Sequence, residues 1–94
     1  MFKIVGTIKR IGDEQQISDQ FVKREFDIET AEQYPQTIRF QLVQGNTSKL
    51  DDWGVGEVVK VHFNLRGREV AKEGEEIPAV YNSLDAWKIT KPNE

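Results

Sequence analysis

Residues 58–88 interleave Arg66, Arg68 and Lys88 with Phe63, Tyr81 and Trp87. Guanidinium and ammonium groups neutralise phosphates, and flat rings stack on bases. Cations and aromatics on neighbouring strands therefore suit a flexible, stacked polyanion such as single-stranded nucleic acid. Lys23, Arg39 and Lys60 add cations at outward positions of other strand-patterned segments. The competing reading is a small β domain whose rings fill its own core and whose charges are simply solvated. Phe26, Phe40 and Phe63 fit that second reading, since each alternates with polar neighbours. Tyr81 and Trp87 are the stacking candidates. Glu69, Glu73, Glu75 and Glu76 crowd the same region and would repel phosphate.

Catalytic chemistry finds little material. His62 is the sole histidine and falls on the outward side of a strand pattern. With no cysteine there is neither a thiolate zinc site nor a disulfide framework, and no converging His and carboxylate spacing marks a metal site. GVGE (54–57) has too few glycines and precedes a strand instead of a helix, so it does not read as a phosphate loop. Ser83 and Asp85 have no partnering base nearby in sequence. We expect a binding protein without catalytic residues, metal or cofactor.

Ninety-four residues make one domain with one core, here 1–90 with a frayed tail at 91–94. No apolar run is long enough to span a bilayer, and MFKIVGTIKRIG alternates where a secretory signal would be continuously apolar. A cytoplasmic location away from membranes is expected on that basis. The net charge of −3 argues against strong non-specific binding of nucleic acid, but its distribution is uneven. Residues 13–33 carry seven acidic and two basic side chains, whereas 57–68 carry Lys60, Arg66 and Arg68 against Glu57. One basic groove on an acidic body would produce that pattern, and so would a solvated surface.

The elements that must position these residues are mostly strands. Residues 2–12 alternate, with Gly6 suggesting a bend or bulge, and 13–20 read as a flexible hairpin loop. In 21–30, Val22, Phe26 and Ile28 oppose Lys23, Glu25, Asp27 and Glu29; Arg24 lands on the apolar side, which places it near an open end or a bulge. After a turn at Pro35, TIRFQLVQ (37–44) puts Ile38, Phe40 and Leu42 inward. Asn46 or Thr47 is expected to cap a short helix running to Trp53, with Gly54 ending it in a left-handed conformation. Strands over 57–66 and 79–89 flank a loop at 67–78, and a bulge would reconcile the two possible facings of the last strand. Three strands, one short helix and two more strands is the order of an all-β, five-stranded Greek-key OB-fold barrel. Its usual ligand face would lie on the second and third strands and the loops at 13–20 and 67–78, with Arg66 and Arg68 flanking the mouth of the latter.

FNLRGRE (63–69) followed by YNSLDAWKI (81–89), with YPQTIRF (34–40) and VGEVVKVHF (55–63) upstream, carries a resemblance. The chain resembles the small bacterial proteins of domain-of-unknown-function family 3127, related to single-stranded-DNA-binding proteins, over essentially its whole length. The resemblance implies an OB-fold and a role on single strands; the matching residues are Asn64, Arg66, Gly67, Arg68, Glu69, Asn82 and Trp87. Two readings follow. In one, Lys23, Arg39, Lys60, Arg66, Arg68 and Lys88 contact phosphate of single-stranded DNA or RNA while Tyr81 and Trp87 stack bases. In the other, the same domain is an interaction module that forms a homo-oligomer or docks on replication or phage machinery through an exposed strand edge.

Overall fold

A computed structural model describes residues 2–94. Where branched and aromatic residues alternate with polar ones, the chain extends and buries one face. Six strands result among the described residues: β1 (Phe2–Ile11), β2 (Gln15–Ser18), β3 (Phe21–Thr30), β4 (Thr37–Val43), β5 (Val58–Val70) and β6 (Ala79–Thr90). One short 3-10 helix, Gln44–Leu50, separates β4 from β5. The strands lie in the order β1-β5-β6-β4-β3-β2, and β1 also pairs with β3, so five of them close into a ring with β2 hanging on the outer edge of β3. All pairings are antiparallel except the β4–β6 seam, where Gln41 lies opposite Asp85 in a parallel contact.

Inside the ring sit Ile8, Phe26, Ile28, Phe40, Leu42, Leu50, Val59, Val61 and Ala86, all buried. Phe26 and Phe40 are cross-strand partners with rings 5.5 Å apart, and Phe40 meets the edge of Phe63 at 5.0 Å. Ring closure depends on β1, which pairs with β5 along Phe2–Thr7 and with β3 along Gly6–Ile11. Gly6 and Thr7 are the overlap, and Gly6 faces both Thr30 and Val59. A Cβ there would lie 2.6 Å from the Glu29 carbonyl oxygen and 2.8 Å from Ile28 Cδ1. The expected bend at Gly6 is thus a point of close backbone approach, and the register shift follows between Ile8 and Arg10.

Several local expectations change. The segment at 13–20 is not a plain loop, because Gln15–Ser18 pairs with Phe21–Lys23 as a hairpin. The helix is a 3-10 segment that starts at Gln44, upstream of the expected caps, and ends before Trp53, and neither Asn46 nor Thr47 caps it. Gln44 initiates it, with φ 54°: its side-chain amide accepts from Val22 N–H and donates to Gln20 C=O, standing in for ladder partners at the start of β3. The left-handed glycine is Gly56 (φ 97°), not Gly54. Glu57 N–H bonds Gly54 C=O across a four-residue turn, and the third residue of such a turn is where positive φ falls. The bulge anticipated in the last strand is present: His62 pairs with Lys88 and Phe63 with Ala86, leaving Trp87 as the extra residue. Arg24 lies at the ring's rim, its guanidinium bound to Gly12 C=O, Thr47 C=O and Asp51 Oδ1. Residues 91–94 form a turn, with Glu94 N–H on Lys91 C=O.

Most consequential is the length of β5. The strand expected to end at residue 66 continues to Val70, and β6 runs beside it from Ala79. Beyond Phe63 the strand β5 has left β1, and above Asp85 the strand β6 has left β4, so residues 66–83 form a two-stranded arm, with Leu84 at its base still packed against the core. The radius of gyration reflects it: 15.0 Å, against about 12 Å for a compact chain of this length. Among the described residues no helix is long and apolar enough to cross a membrane.

Gly6→Ala should destabilise the fold by about 1–3 kcal/mol, since the neighbouring backbone must shift to admit the methyl group. Phe40→Ala should cost about 3–5 kcal/mol through the cavity it opens. Urea denaturation monitored by far-ultraviolet circular dichroism measures both, and a wild-type midpoint for Gly6→Ala would refute the close-approach argument.

Candidate functional site

On the outer face of the ring, β3 runs between β1 and β4, and Asp27 points outward as alternation predicts. It is nevertheless only 2% exposed. The reason is cross-strand register: Arg10 of β1 and Arg39 of β4 both lie directly opposite it. Arg39 donates from Nε to Asp27 Oδ1 at 2.7 Å and from Nη2 to Oδ2 at 3.0 Å, and Arg10 Nη1 donates to Oδ2 at 2.5 Å. The Arg39 hydrogen bond, helped by Arg10 and opposed by burial, lowers the Asp27 carboxyl to about 2. In return Asp27 raises the Arg39 guanidinium further above its ordinary range. Both arginine side chains remain more than half exposed, at 57% and 61%, and line an open groove of about 450 Å³ with Lys9, Gln15 and Glu25.

Arg66 and Arg68 fall on the arm instead of at a loop mouth. They alternate on the face that continues the ring's exterior, opposite Ser83 and Tyr81. Arg68 stacks over the Tyr81 ring at 5.7 Å and forms no ion pair among the described residues. Arg66 lies 3.7 Å from Asp85, loosely held and 65% exposed. Asp85 itself is occupied, accepting from Gln41 Nε2 at 2.7 Å and from Ser83 Oγ at 3.1 Å. Arg66, Gly67, Arg68, Tyr81, Asn82 and Ser83 line a groove of about 240 Å³. A second groove, lined by Arg39, Gln41 and Glu25, shares Asn82 and Ser83 with it.

The remaining candidates lie elsewhere. Lys60, Lys88 and the bulged Trp87 occupy the outer side of β5 and β6, where Trp87 meets His62 at 5.4 Å. His62, expected at the surface, is 8% exposed and sits 3.3 Å from Thr90 Oγ1. Burial first, then Lys3, Lys88 and Lys60, lowers its pKa. Lys60 Nζ donates to the Glu94 carbonyl at 2.6 Å. Lys23, on β3, lies 3.9 Å from Glu25 and lines none of these grooves. The structure therefore brings Arg39, Arg66, Arg68 and Tyr81 together and separates them from Lys60, Trp87 and Lys88. No group of three or more His, Asp or Glu among the described residues is placed to hold a metal ion.

The model of the family described as domain of unknown function DUF3127 matches residues 3–90. The chain belongs to that family. Comparison with curated proteins gives no match. The matched span includes every strand from β2 to β6 and all of the grooves described above.

Two residues of this surface escape a reading by alternation alone. Arg10 and Asp27 are unremarkable in sequence, and only the β1–β3 register makes Asp27 the shared partner of two arginines. The one available signal was an acidic residue in an otherwise apolar strand centre, FDI, with Arg39 one strand away.

Asp27 supplies a pH prediction. Its folded pKa lies below the unfolded value, so its stabilisation is complete above about pH 4 and disappears as pH falls towards 2. Asp27→Asn should lower stability at neutral pH by about 2 kcal/mol and flatten the acid limb of the stability profile. Urea midpoints from pH 7 down to 2 test this; an unchanged acid limb would refute the ion-pair account.

Proposed function

We propose that the chain is an OB-fold protein that binds single-stranded nucleic acid, DNA in the first instance, across the outer face of β4 and along the β5–β6 arm. Connectivity supports the fold reading. The ring β1-β3-β4-β6-β5, antiparallel except at the β4–β6 seam and carrying its helix between β4 and β5, has the strand order of a five-stranded Greek-key OB barrel. In that frame β2 elaborates the loop between the first two barrel strands. The β3–β4 face lies between this flap and the arm, the region where such barrels take oligonucleotides.

The observation that carries the functional reading is the meeting of Arg66, Arg68 and Tyr81 in one open groove that adjoins Arg39 through Asn82 and Ser83. Among the described residues Arg68 has no carboxylate partner, and Arg66 has only a distant one. Arg39 commits Nε and Nη2 to Asp27 and keeps Nη1 for a phosphate. Tyr81 is 50% exposed and offers a ring for stacking. The role is binding without catalysis, and the acidic surroundings make it a modest, strongly salt-dependent affinity. Lys60, Trp87 and Lys88 lie off this path.

Anisotropy titrations of labelled oligo-dT at stepped salt test the proposal. Affinity should fall linearly with salt on logarithmic axes, and the Arg66→Ala, Arg68→Ala double variant should reduce the slope by about 1.4, from about 0.7 per lost phosphate contact. Tyr81→Ala should cost about 1–3 kcal/mol, while Lys88→Ala should bind as wild type does. Absence of any anisotropy change at low salt would remove the reading.

A further inference from the structure

A groove of about 330 Å³ on the outer side of β1, β5 and β6 is walled by Phe2, Lys3, His62, Trp87 and Lys88 and takes no part in the nucleic-acid reading. Its aromatic wall is the tilted His62–Trp87 pair, and Phe2, 48% exposed, borders it while stacking at 5.6 Å on Phe63 on the sheet's inner side. Its rim is cationic. Lys3 and Lys88 form no ion pair among the described residues, and no carboxylate lines the groove. Burial first, then the charges of Lys3, Lys88 and Lys60, holds the His62 imidazole below its ordinary pKa.

The tip of the arm carries the opposite pattern. In KEGEEIP (72–78), Glu73, Glu75 and Glu76 outnumber Lys72, and none of these carboxylates forms an ion pair among the described residues. Ile77 beside them is 80% exposed, the highest value among the exposed large hydrophobic residues described. An isolated branched side chain preceded by two acids is the complement of an aromatic groove bordered by lysines. The tip cannot reach its own groove. Ile77 and Lys88 lie near opposite ends of the extended β6, about 30 Å apart at the rise of a strand. The groove's occupant must therefore come from another molecule, and this chain itself presents a fitting one.

We infer that the protein forms a two-fold dimer in which the Glu75–Glu76–Ile77 tip of each arm seats in the Phe2–Trp87 groove of the other copy, its carboxylates against Lys3 and Lys88. Two-fold symmetry makes the contact twice, once for each arm, and closes the assembly at two copies. Desolvating Ile77 against Phe2 and Trp87 supplies the attraction, and the charges set partner and register.

Reciprocal charge reversal tests the inference without nucleic acid, so its failure and that of the binding proposal are distinguishable. Sedimentation velocity over a range of concentrations should show wild-type protein passing from monomer to dimer, with the dimer weakened by salt. Lys3→Glu with Lys88→Glu, and separately Glu75→Lys with Glu76→Lys, should each raise the dimer dissociation constant about tenfold or more, since like charges would face each other. An equimolar mixture of the two variants should recover the dimer, because each tip then meets a groove of opposite sign. Ile77→Asp should be monomeric while keeping the wild-type circular dichroism spectrum. A wild-type protein that stays monomeric throughout overturns the inference. So does a dimer indifferent to both reversals, a mixture that stays monomeric, or a ladder of larger species.

Discussion

The whole molecule depends on β1 holding two partners at once. One strand cannot flatten against both β5 and β3 unless it turns sharply between them, and the turn is made where Gly6 faces Thr30 on one side and Val59 on the other. The absent side chain is what lets the Glu29 carbonyl approach. Closing the sheet in this way brings Phe26, Phe40, Val59 and Val61 into a common interior, because alternate residues of every strand then converge on one volume. The opposite seam is slight by comparison. β4 and β6 meet in register only at Gln41 and Asp85, and a side-chain hydrogen bond between the same two residues reinforces that contact.

Closure also sorts the cations. On the ring's exterior the cross-strand neighbours of Asp27 are both arginines, so a carboxylate facing outward becomes one of the most buried side chains. The pair of guanidiniums covers it while keeping their own outer edges in solvent, which leaves a surface that is positive at its top and anchored beneath. Where no acidic partner lies opposite, as at Arg68, the guanidinium lies on an aromatic ring instead. Position in the ladder, more than local charge density, decides which cation is free to meet a ligand.

The arm is the other consequence. Once β5 and β6 outrun β1 and β4, neither face of their hairpin has a layer to pack against, so Leu65, Val80 and Tyr81 stay exposed. A two-stranded ribbon alone in water is marginal. Its persistence here rests on continuity with the ring, and its surfaces are available for pairing with something else. One face presents arginines and a tyrosine, the other branched apolar residues, and the tip acids and Ile77. The ribbon thus separates contacts of different chemistry that a compact barrel of this size would have to crowd together.

Alternation alone located five of the six strands described, all but β2, because segments such as TIRFQLV and VVKVHF leave one face apolar and only a half-buried extended chain satisfies that pattern. It also marked a bend or bulge at Gly6, the misfit of Arg24 and the bulge near Trp87, each visible as a break in period. The length of β5 was not legible, since GREV and AVYN bury little and their pairing depends on the partner strand, not on their own pattern. Neither was the grouping of the cations. Arg39 and Arg66 are far apart in the chain and meet through the β4–β6 seam, whereas Lys88, on the same strand as Tyr81, lies at the other end of the ladder beside His62. Which side chains share a surface is a property of register and closure, and those are long-range pairings that no stretch of sequence carries by itself.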